Sequence, residues 1–241
     1  MQPAPDIPDG EIESDLDFIK QITVFATGVV IFAVGIFAYM IYTGDISLTG
    51  PSSLVLEKEE QFDELVQYDS IDHLSGKGVA VCMVDSGIDM SHKDLESANL
   101  VEWEDFIGSD SSPYDDNGHG TMMAGILVAD GELTGVAPDV DLYVAKALSG
   151  NGEGNDATVA EAIDWCISKN VHIISLSLGG NASGFSIILG DAVEDSVESA
   201  YDAGIVVVAA AGNDGGANDD GDVASPGIVD TVICVGGVDS N

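Results

Sequence analysis

Residues 78–89, GVAVCMVDSGID, decide the fold of this chain. Apolar residues follow one another from Val79 to Val84, and the run ends at Asp85. An apolar run without alternation is typical of a strand buried on both faces, as in a parallel sheet. Gly87 then permits a sharp turn out of the strand. Five further runs of this kind occur at residues 100–106, 140–148, 171–178, 205–212 and 230–237.

Helical patterns separate these strands. One begins at the capping residues Asn155 and Asp156, and a second runs from about Asp191 to Gly204. The first helix carries an apolar face formed by Val159, Ile163, Cys166 and Ile167, and the apolar pattern of the second consists of Val193, Val197, Ala200 and Tyr201. Strands that alternate with helices predict an α/β fold with a doubly wound, mainly parallel sheet flanked by helices.

The charge balance excludes one class of partner. The 241 residues contain 43 acidic residues and 6 basic ones, all of them lysines, which gives a formal net charge of −37. A nucleic-acid-binding surface needs clustered Lys and Arg to neutralise phosphates, so we expect no nucleic-acid partner. The hydrophobic content of 45% excludes a disordered chain. An acidic, arginine-free composition favours a high-salt (halophilic) habitat, where ions screen the self-repulsion.

The chain has three cysteines, Cys82, Cys166 and Cys234, which are too few and too scattered for a disulfide scaffold or a zinc site. Each lies in an apolar stretch, so we expect three small, buried side chains. Their odd number leaves at least one thiol free.

The N-terminal part divides by composition. Residues 1–20 are acidic and are expected to form a disordered tail, whereas residues 21–44 carry no charge. In a helix this segment exceeds the roughly 30 Å hydrocarbon core of a membrane. It is therefore predicted to be a single transmembrane helix; a cleaved signal peptide, the competing interpretation, would have a basic flank. Residues 45–76 form an acidic connector with a short helix at Leu54–Val66, and residues 77–241 form the folded domain.

The orientation of the predicted anchor rests on a small signal. Lys20 is the basic residue near its first end, and Lys58 is the basic residue beyond its second end. The positive-inside rule therefore favours an N-terminus in the cytoplasm and a folded domain on the extracytoplasmic side.

Polar motifs lie where the expected strands end, which is where an open α/β sheet carries its active site. Asp85 follows the first strand. His119 is flanked by glycines and opens an apolar helix that we expect to be buried all round. Residues 175–180 lead a strand into glycines, and Asn213 follows the fifth strand. Each motif alone also fits an ordinary turn or loop, so the set is more specific than its members.

The set resembles the subtilisin-like serine proteases (subtilases). The sequence contains, in the order of that family, D-S-G-I-D at 85–89, N-G-H-G-T at 117–121, S-L-S-L-G-G at 175–180 and A-A-G-N at 210–213. The resemblance covers about residues 68–241 and includes SHKDL at 91–95 and VICVGGVDS at 232–240. It implies a subtilisin-like fold and a serine endopeptidase that hydrolyses peptide bonds through an Asp-His-Ser triad.

The resemblance also implies roles for individual residues. Asp85 would orient His119, and His119 would act as general base and then as general acid. Asn213 would donate a hydrogen bond to the oxyanion. A peptide or protein substrate would lie extended between two segments, in which Glu153 would favour basic substrate side chains. These segments are Gly152, Glu153 and Gly154 on one side and Ser177, Leu178 and Gly179 on the other.

The sequence departs from the family at the nucleophile. The family's serine sits in a G-T-S-M-A-type motif, and no G-T-S occurs in the 241 residues. We therefore expect an incomplete peptidase domain that is inactive by itself. Three explanations stay open: a fragment of a longer protein, one half of a split protease, and a catalytically inactive, membrane-tethered peptide-binding protein.

No cofactor is expected from the sequence. A calcium site of the family uses an aspartate like Asp94 together with the loop after the His119 helix, but residues 130–134 form a short loop here, so calcium stays possible without a clear site. Residues 45–76 are also too few for the folded propeptide of the family. The physiological substrate and the oligomeric state stay open.

Overall fold

The computed structural model describes residues 9–43, 50–71, 73–180, 192–213 and 223–237 of the 241-residue chain. The chain divides into two compact units, Met1–Phe62 and Asp63–Asn241. In their described parts the first unit is helical, and the second contains the strands.

The first unit is dominated by helix α1, Asp9–Thr43. Within it, Phe18–Tyr42 comprises 25 residues with a mean hydropathy of 2.4 and is long and apolar enough to cross a membrane. By length and composition a signal sequence passes the same test. Residues 9–20 are helical, in contrast to the disordered tail expected for residues 1–20, because a helix N-terminus favours acidic residues. Residues 1–8 lie outside the described part.

Helix α2, Ser53–Val66, matches the short helix predicted at Leu54–Val66. The Ser52 Oγ accepts a hydrogen bond from the Val55 N–H at 3.3 Å, as a capping hydroxyl does. No residue of α2 is buried in the described part of the chain, and a 3₁₀ turn, Tyr68–Ser70, follows it.

The second unit is built on one parallel sheet. Its described strands are β1 Ala80–Asp85, β2 Leu100–Asp105, β3 Asp141–Lys146, β4 Ile173–Leu176, β5 Val206–Ala210 and β6 Ile233–Val235. They lie in the order β2-β3-β1-β4-β5-β6, and every adjacent pair is parallel. The helices in the described part of this unit after α2 are α3 His119–Val128, α4 Asp156–Ser168 and α5 Ala192–Asp202. The predicted α/β class is confirmed.

Two cores lie on opposite faces of the sheet. On β1, Val81 and Met83 pack in one cluster with α3, whereas Cys82 and Val84 pack in another with α4 and α5. Consecutive residues of a strand point to opposite faces, so both faces of β1 are covered by helices. This double burial is the reason why the run that opens the domain carries no polar residue.

Helix α4 begins as predicted, because the Asn155 Oδ1 accepts a hydrogen bond from the Thr158 N–H at 3.0 Å. In helix α5 one residue of the predicted apolar pattern lies outside the core, since Tyr201 is 57% exposed. The buried stripe runs through Val193, Val197 and Ala200, and the next residue along a helix lies about 100° away.

Two of the cysteines differ from expectation by being paired. Cys82 of β1 and Cys166 of α4 form a disulfide across 84 residues of sequence, with Cα atoms 5.8 Å apart. Both are fully buried, as predicted. Cys234 is a free cysteine, but it is exposed rather than buried, because β6 is a short strand at the edge of the sheet.

Helix α3 is less buried than its apolar sequence predicted. Gly120, Ala124 and Val128 are buried against the sheet, whereas Met122 is 60% and Ile126 is 49% exposed. The expectation of an all-round buried helix was therefore wrong, because a helix packed on a sheet presents only one stripe to it.

Candidate active site

The site lies at the carboxyl end of β1. This strand is the switch point of the sheet, since the chain places β3 and β2 on one side of it and β4, β5 and β6 on the other. Connections that leave a parallel sheet in opposite directions open a crevice at such a point, and ligands bind there. Asp85 is the last residue of β1 and is fully buried at this crevice.

His119 is held at the crevice by the glycines on both of its sides. Gly118 caps α3 with φ 96°, a left-handed conformation that favours glycine. A Cβ on Gly120 would lie 2.1 Å from the carbonyl oxygen of Gly87, in the turn after β1. The start of α3 therefore approaches the end of β1 more closely than any larger residue allows, and this approach brings His119 to Asp85.

The two side chains form a direct pair. The His119 Nδ1 lies 2.7 Å from the Asp85 Oδ1, and the same oxygen accepts a hydrogen bond from the Ser86 N–H at 2.7 Å. The Asp85 side chain is fully buried, whereas 37% of the His119 side chain is exposed. A buried carboxylate behind a half-exposed imidazole orients the ring and leaves its outer edge accessible.

Burial raises the pKa of the Asp85 carboxyl above its usual value, although hydrogen bonds from His119 and Ser86 oppose this shift. Within the described residues the Asp85 Oδ2 has no hydrogen-bond partner, which adds to the cost of the buried charge. Burial of the charged form therefore costs free energy, and the hydrogen bonds from His119 and Ser86 reduce this cost.

A second aspartate, Asp115, fixes the loop before His119. Its carboxylate accepts hydrogen bonds from the Thr121 Oγ1 at 2.6 Å, the Gly118 N–H at 2.8 Å and the Ser86 Oγ at 2.9 Å. Burial raises the pKa of Asp115, but the hydrogen bonds from Thr121, Gly118 and Asn117 outweigh burial and lower it to about 2. The sequence analysis missed this residue, whose signal is the Asp-Asp-Asn-Gly turn at 115–118.

Lys146, which the sequence analysis also missed, is fully buried at the end of β3. Its Nζ donates to the carbonyl oxygens of Ser86 at 2.5 Å and Leu148 at 2.9 Å, and it pairs with the Asp116 Oδ1 at 2.6 Å. The available signal is a lysine inside the strand run VDLYVAKAL, where a charge needs partners to be buried.

A cleft of about 440 Å³ opens in front of His119. The predicted substrate-binding residues all line it, namely Gly152, Glu153, Gly154, Ser177, Leu178 and Gly179, together with Asn213. The structure thus brings the sequence-predicted residues together, with Asp85 buried behind His119. The cleft is also lined by residues that were not predicted to belong to the site, among them Asn117, Leu148, Asp156, Val159, Val193 and Pro226.

In the region where calcium was considered, the Asp94 carboxylate accepts a hydrogen bond from the loop after α3. Asp94 is buried, and its Oδ1 accepts a hydrogen bond from the Glu132 N–H at 2.6 Å in the loop after α3. The described residues contain no group of three or more His, Cys, Asp and Glu side chains suited to hold a metal ion. Asp94 therefore serves to fasten this loop to the turn after β1.

A buried aspartate paired with histidine, at the end of a parallel strand and beside a cleft, is typical of enzymes that activate a nucleophile by a histidine base. The comparison with known families is more specific. The sequence model of the subtilase family matches residues 76–241, and the chain belongs to this family.

Curated relatives agree. The chain is 41% identical over 180 residues to the serine protease AprX of Bacillus subtilis (strain 168), covering 70% of this chain and 40% of that protein. It is 39% identical over 169 residues to subtilisin DY of Bacillus licheniformis, covering 69% and 58%, respectively. It is 42% identical over 169 residues to a thermostable alkaline protease of Halalkalibacterium halodurans, covering 69% and 43%. The match thus spans about half of each relative's length.

Proposed function

We propose that the protein carrying this sequence is a serine endopeptidase. The observation that carries the proposal is the Asp85–His119 pair, with 2.7 Å between Oδ1 and Nδ1, on the wall of a cleft that Asn213 also lines. These are the base, its orienting carboxylate and an oxyanion donor that acyl transfer to a serine requires. The subtilase family membership supports the same reaction.

The proposed steps follow from the geometry. Because the His119 Nδ1 is engaged by Asp85, the Nε2 takes the proton from the serine hydroxyl and later gives it to the leaving amine. The hydroxyl oxygen forms a bond to the scissile carbonyl carbon, and Asn213 stabilises the resulting oxyanion. Water then hydrolyses the acyl-enzyme with His119 again acting as the base.

The peptide substrate is proposed to lie between residues 152–154 and 177–179. Both segments line the cleft, and both contain glycines that expose main-chain donors and acceptors. An extended peptide adds to such edges through main-chain hydrogen bonds, which give affinity, whereas the side chains that line the cleft give specificity. Glu153 and Asp156 add negative charge to the cleft, which favours substrates with basic side chains.

The nucleophile is proposed to lie in a segment outside these 241 residues. Ser86 is the serine next to the catalytic pair, but its Oγ donates to the Asp115 Oδ1 and accepts from the Gly120 N–H, both at 2.9 Å. This commitment to two partners, in a side chain that is fully buried, leaves it unsuited to attack a substrate. It also favours a second candidate function, in which this chain binds peptides and hydrolysis needs a partner segment.

Labelling by a serine-directed fluorophosphonate tests the proposal and separates the two candidates. The natural product of the gene is expected to be labelled, and His119→Ala is expected to lower labelling and peptide hydrolysis by roughly 10²–10⁴-fold. The matched control is His92→Ala, because His92 is a half-exposed histidine that does not line the cleft. A gene product that binds peptides but is never labelled would establish the second candidate.

Helix α1 is proposed to anchor the peptidase unit in the membrane as a single span, with that unit on the extracytoplasmic side. The apolar stretch Phe18–Tyr42 supports the anchor, and the Cys82–Cys166 disulfide supports the side, because such bonds persist in oxidising compartments. The test is labelling of intact cells by a membrane-impermeant maleimide, using Glu161→Cys in a Cys234→Ser background. Labelling that requires cell lysis would contradict this topology.

A further inference from the structure

The ammonium group of Lys146 is fully satisfied by three oxygen atoms of the protein. It has three N–H donors, and its acceptors are the carbonyl oxygens of Ser86 and Leu148 and the carboxylate of Asp116. Its Nζ also lies 4.8 Å from the centroid of the Tyr114 ring, a cation–π distance. Burying a charge is costly unless every donor is paired. The three acceptors therefore offset part of the cost of burying the Lys146 ammonium.

The three acceptors belong to the three segments that build the active site. Ser86 directly follows Asp85 at the end of β1, and Asp116 lies in the loop that leads to His119. Leu148 lines the cleft after β3. One ammonium group therefore contacts the end of β1, which carries Asp85, the loop that leads to His119, and one wall of the cleft.

Further hydrogen bonds link the contacts of Lys146 to Asp85 and to the residue next to His119. The main-chain oxygen of Asp85 accepts from the N–H groups of Ala147 and Leu148 at 2.9 and 3.1 Å. On the other side, the Ser86 Oγ accepts from the Gly120 N–H, next to His119. Movement of the Ser86 main chain would therefore displace both members of the pair.

We propose that Lys146 is a positioning residue that holds Asp85 and His119 at hydrogen-bonding distance. The proposal rests on the proposed function of that pair as base and orienting carboxylate. A general base is effective only when its ring is fixed in the productive orientation, and small displacements are costly in rate. Without the ammonium, the Ser86 carbonyl and the Asp116 carboxylate lose their common partner. The two segments are then joined by fewer hydrogen bonds, among them those of the Ser86 hydroxyl, and they hold the pair less firmly.

The test uses the proton on the His119 Nδ1, observed by NMR in the full chain in detergent micelles. This readout needs no serine and no activity, so it is independent of whether the protein is a protease. Lys146→Met is expected to speed exchange of this proton with water by about tenfold or more, because hydrogen bonds to a charged group are lost. The matched control is Lys169→Met, which removes a lysine paired with Glu102 and stacked on Trp165, far along the chain from the pair.

If Lys146→Met does not fold, as judged by circular dichroism, Asp116→Asn carries the same test. Asp116 is half-exposed, so its substitution is tolerated more easily, and it weakens one of the three contacts. Faster exchange at His119 in the folded variant, with the Lys169→Met control unchanged, supports the proposal. A folded variant in which the His119 proton exchanges as in the unmodified chain would overturn it. In an active form of the protein, Lys146→Met is expected to lower kcat with little change in KM.

Discussion

Asp85 and Asp115 both accept a hydrogen bond from Ser86, yet their surroundings shift their pKa values in opposite directions. Asp85 is fully buried with one oxygen unpartnered among the described residues, and burial raises the pKa of its carboxyl. Asp115 collects hydrogen bonds from Thr121, Gly118 and Asn117, which lower its pKa to about 2. The ionised Asp85 carboxylate therefore lowers the stability of the fold, whereas the ionised Asp115 carboxylate raises it.

For Asp115 the folded pKa of about 2 lies below the usual 3.8. Its contribution to stability is thus present above pH 3.8 and is lost as the pH falls towards 2. Asp115→Asn is expected to lower the free energy of unfolding at pH 7 by about 1–2 kcal/mol, allowing for partial exposure. Urea denaturation at pH 7 and pH 2.5 measures this, and the difference between variant and unmodified chain should shrink at the lower pH.

For Asp85 the sign is reversed. Because the folded pKa is raised, the ionised form opposes folding, and this penalty grows as the pH rises through the folded pKa. Asp85→Asn is expected to raise the free energy of unfolding at pH 7. In the natural product of the gene it is also expected to abolish the proposed hydrolysis, a trade-off often found at active sites. Urea denaturation beside a peptidase assay checks both parts. A loss of stability similar to that of Asp115→Asn would contradict the conclusion that the ionised Asp85 opposes folding.

Asn213 provides a prediction on the chemical step. If the natural product of the gene is the proposed peptidase, Asn213→Ala in that protein is expected to lower kcat by roughly 100- to 1000-fold, the range known for the oxyanion donor of subtilisin, with a small effect on KM. The control is Asn99→Ala, which removes an amide bonded to the Asp141 carboxylate outside the cleft. If both variants keep full kcat, Asn213 is not an oxyanion donor.

At the scale of elements, β1 and α4 connect the core to the cleft. β1 places Asp85 at the switch point, and α4 begins at the cleft wall with Asp156 and Val159. The Cys82–Cys166 disulfide joins these two elements inside the core. Both were predictable as elements, because the β1 run is apolar throughout and the start of α4 carries a capping Asn. Their pairing through cysteines was not, since 84 residues separate the partners.

The start of α4 depends on Asn155. Asn155→Ala removes the side-chain acceptor of the Thr158 N–H and is expected to lower the free energy of unfolding by about 1 kcal/mol. Asn155→Ser keeps a capping oxygen and is expected to retain most of the stability. Equal losses for the two substitutions in urea denaturation would show that capping is not what Asn155 contributes.

At the scale of the whole molecule, the charge of −37 dominates. Acidic residues outnumber lysines 43 to 6, so self-repulsion opposes the compact state wherever salt is low. Lys146, the lysine beside the site, is buried and paired with Asp116. The charge thus concerns stability and solubility, whereas the proposed reaction would depend on Asp85, a carboxylate that the fold buries.

Salt is expected to stabilise the protein. Added NaCl should raise the midpoint of thermal unfolding at pH 7, with most of the effect reached near 1 M, where the Debye length is about 3 Å. The same series at pH 4, close to the sequence pI of about 4.1, is the control and should show a much weaker dependence. Maximal stability at pH 7 without added salt would contradict a high-salt adaptation.

The sequence by itself determined the α/β class, the strands and the residues at their ends, because apolar runs buried on both faces and glycines at close approaches are local signals. Tertiary structure alone decided which polar groups support these residues. Lys146, Asp115 and the Cys82–Cys166 pair act through partners distant in the chain, and burial makes such contacts matter. The tertiary structure also decided that Met122 and Ile126 of α3 are exposed. In a helix that is apolar on every side, only the packing against the sheet determines which residues are buried.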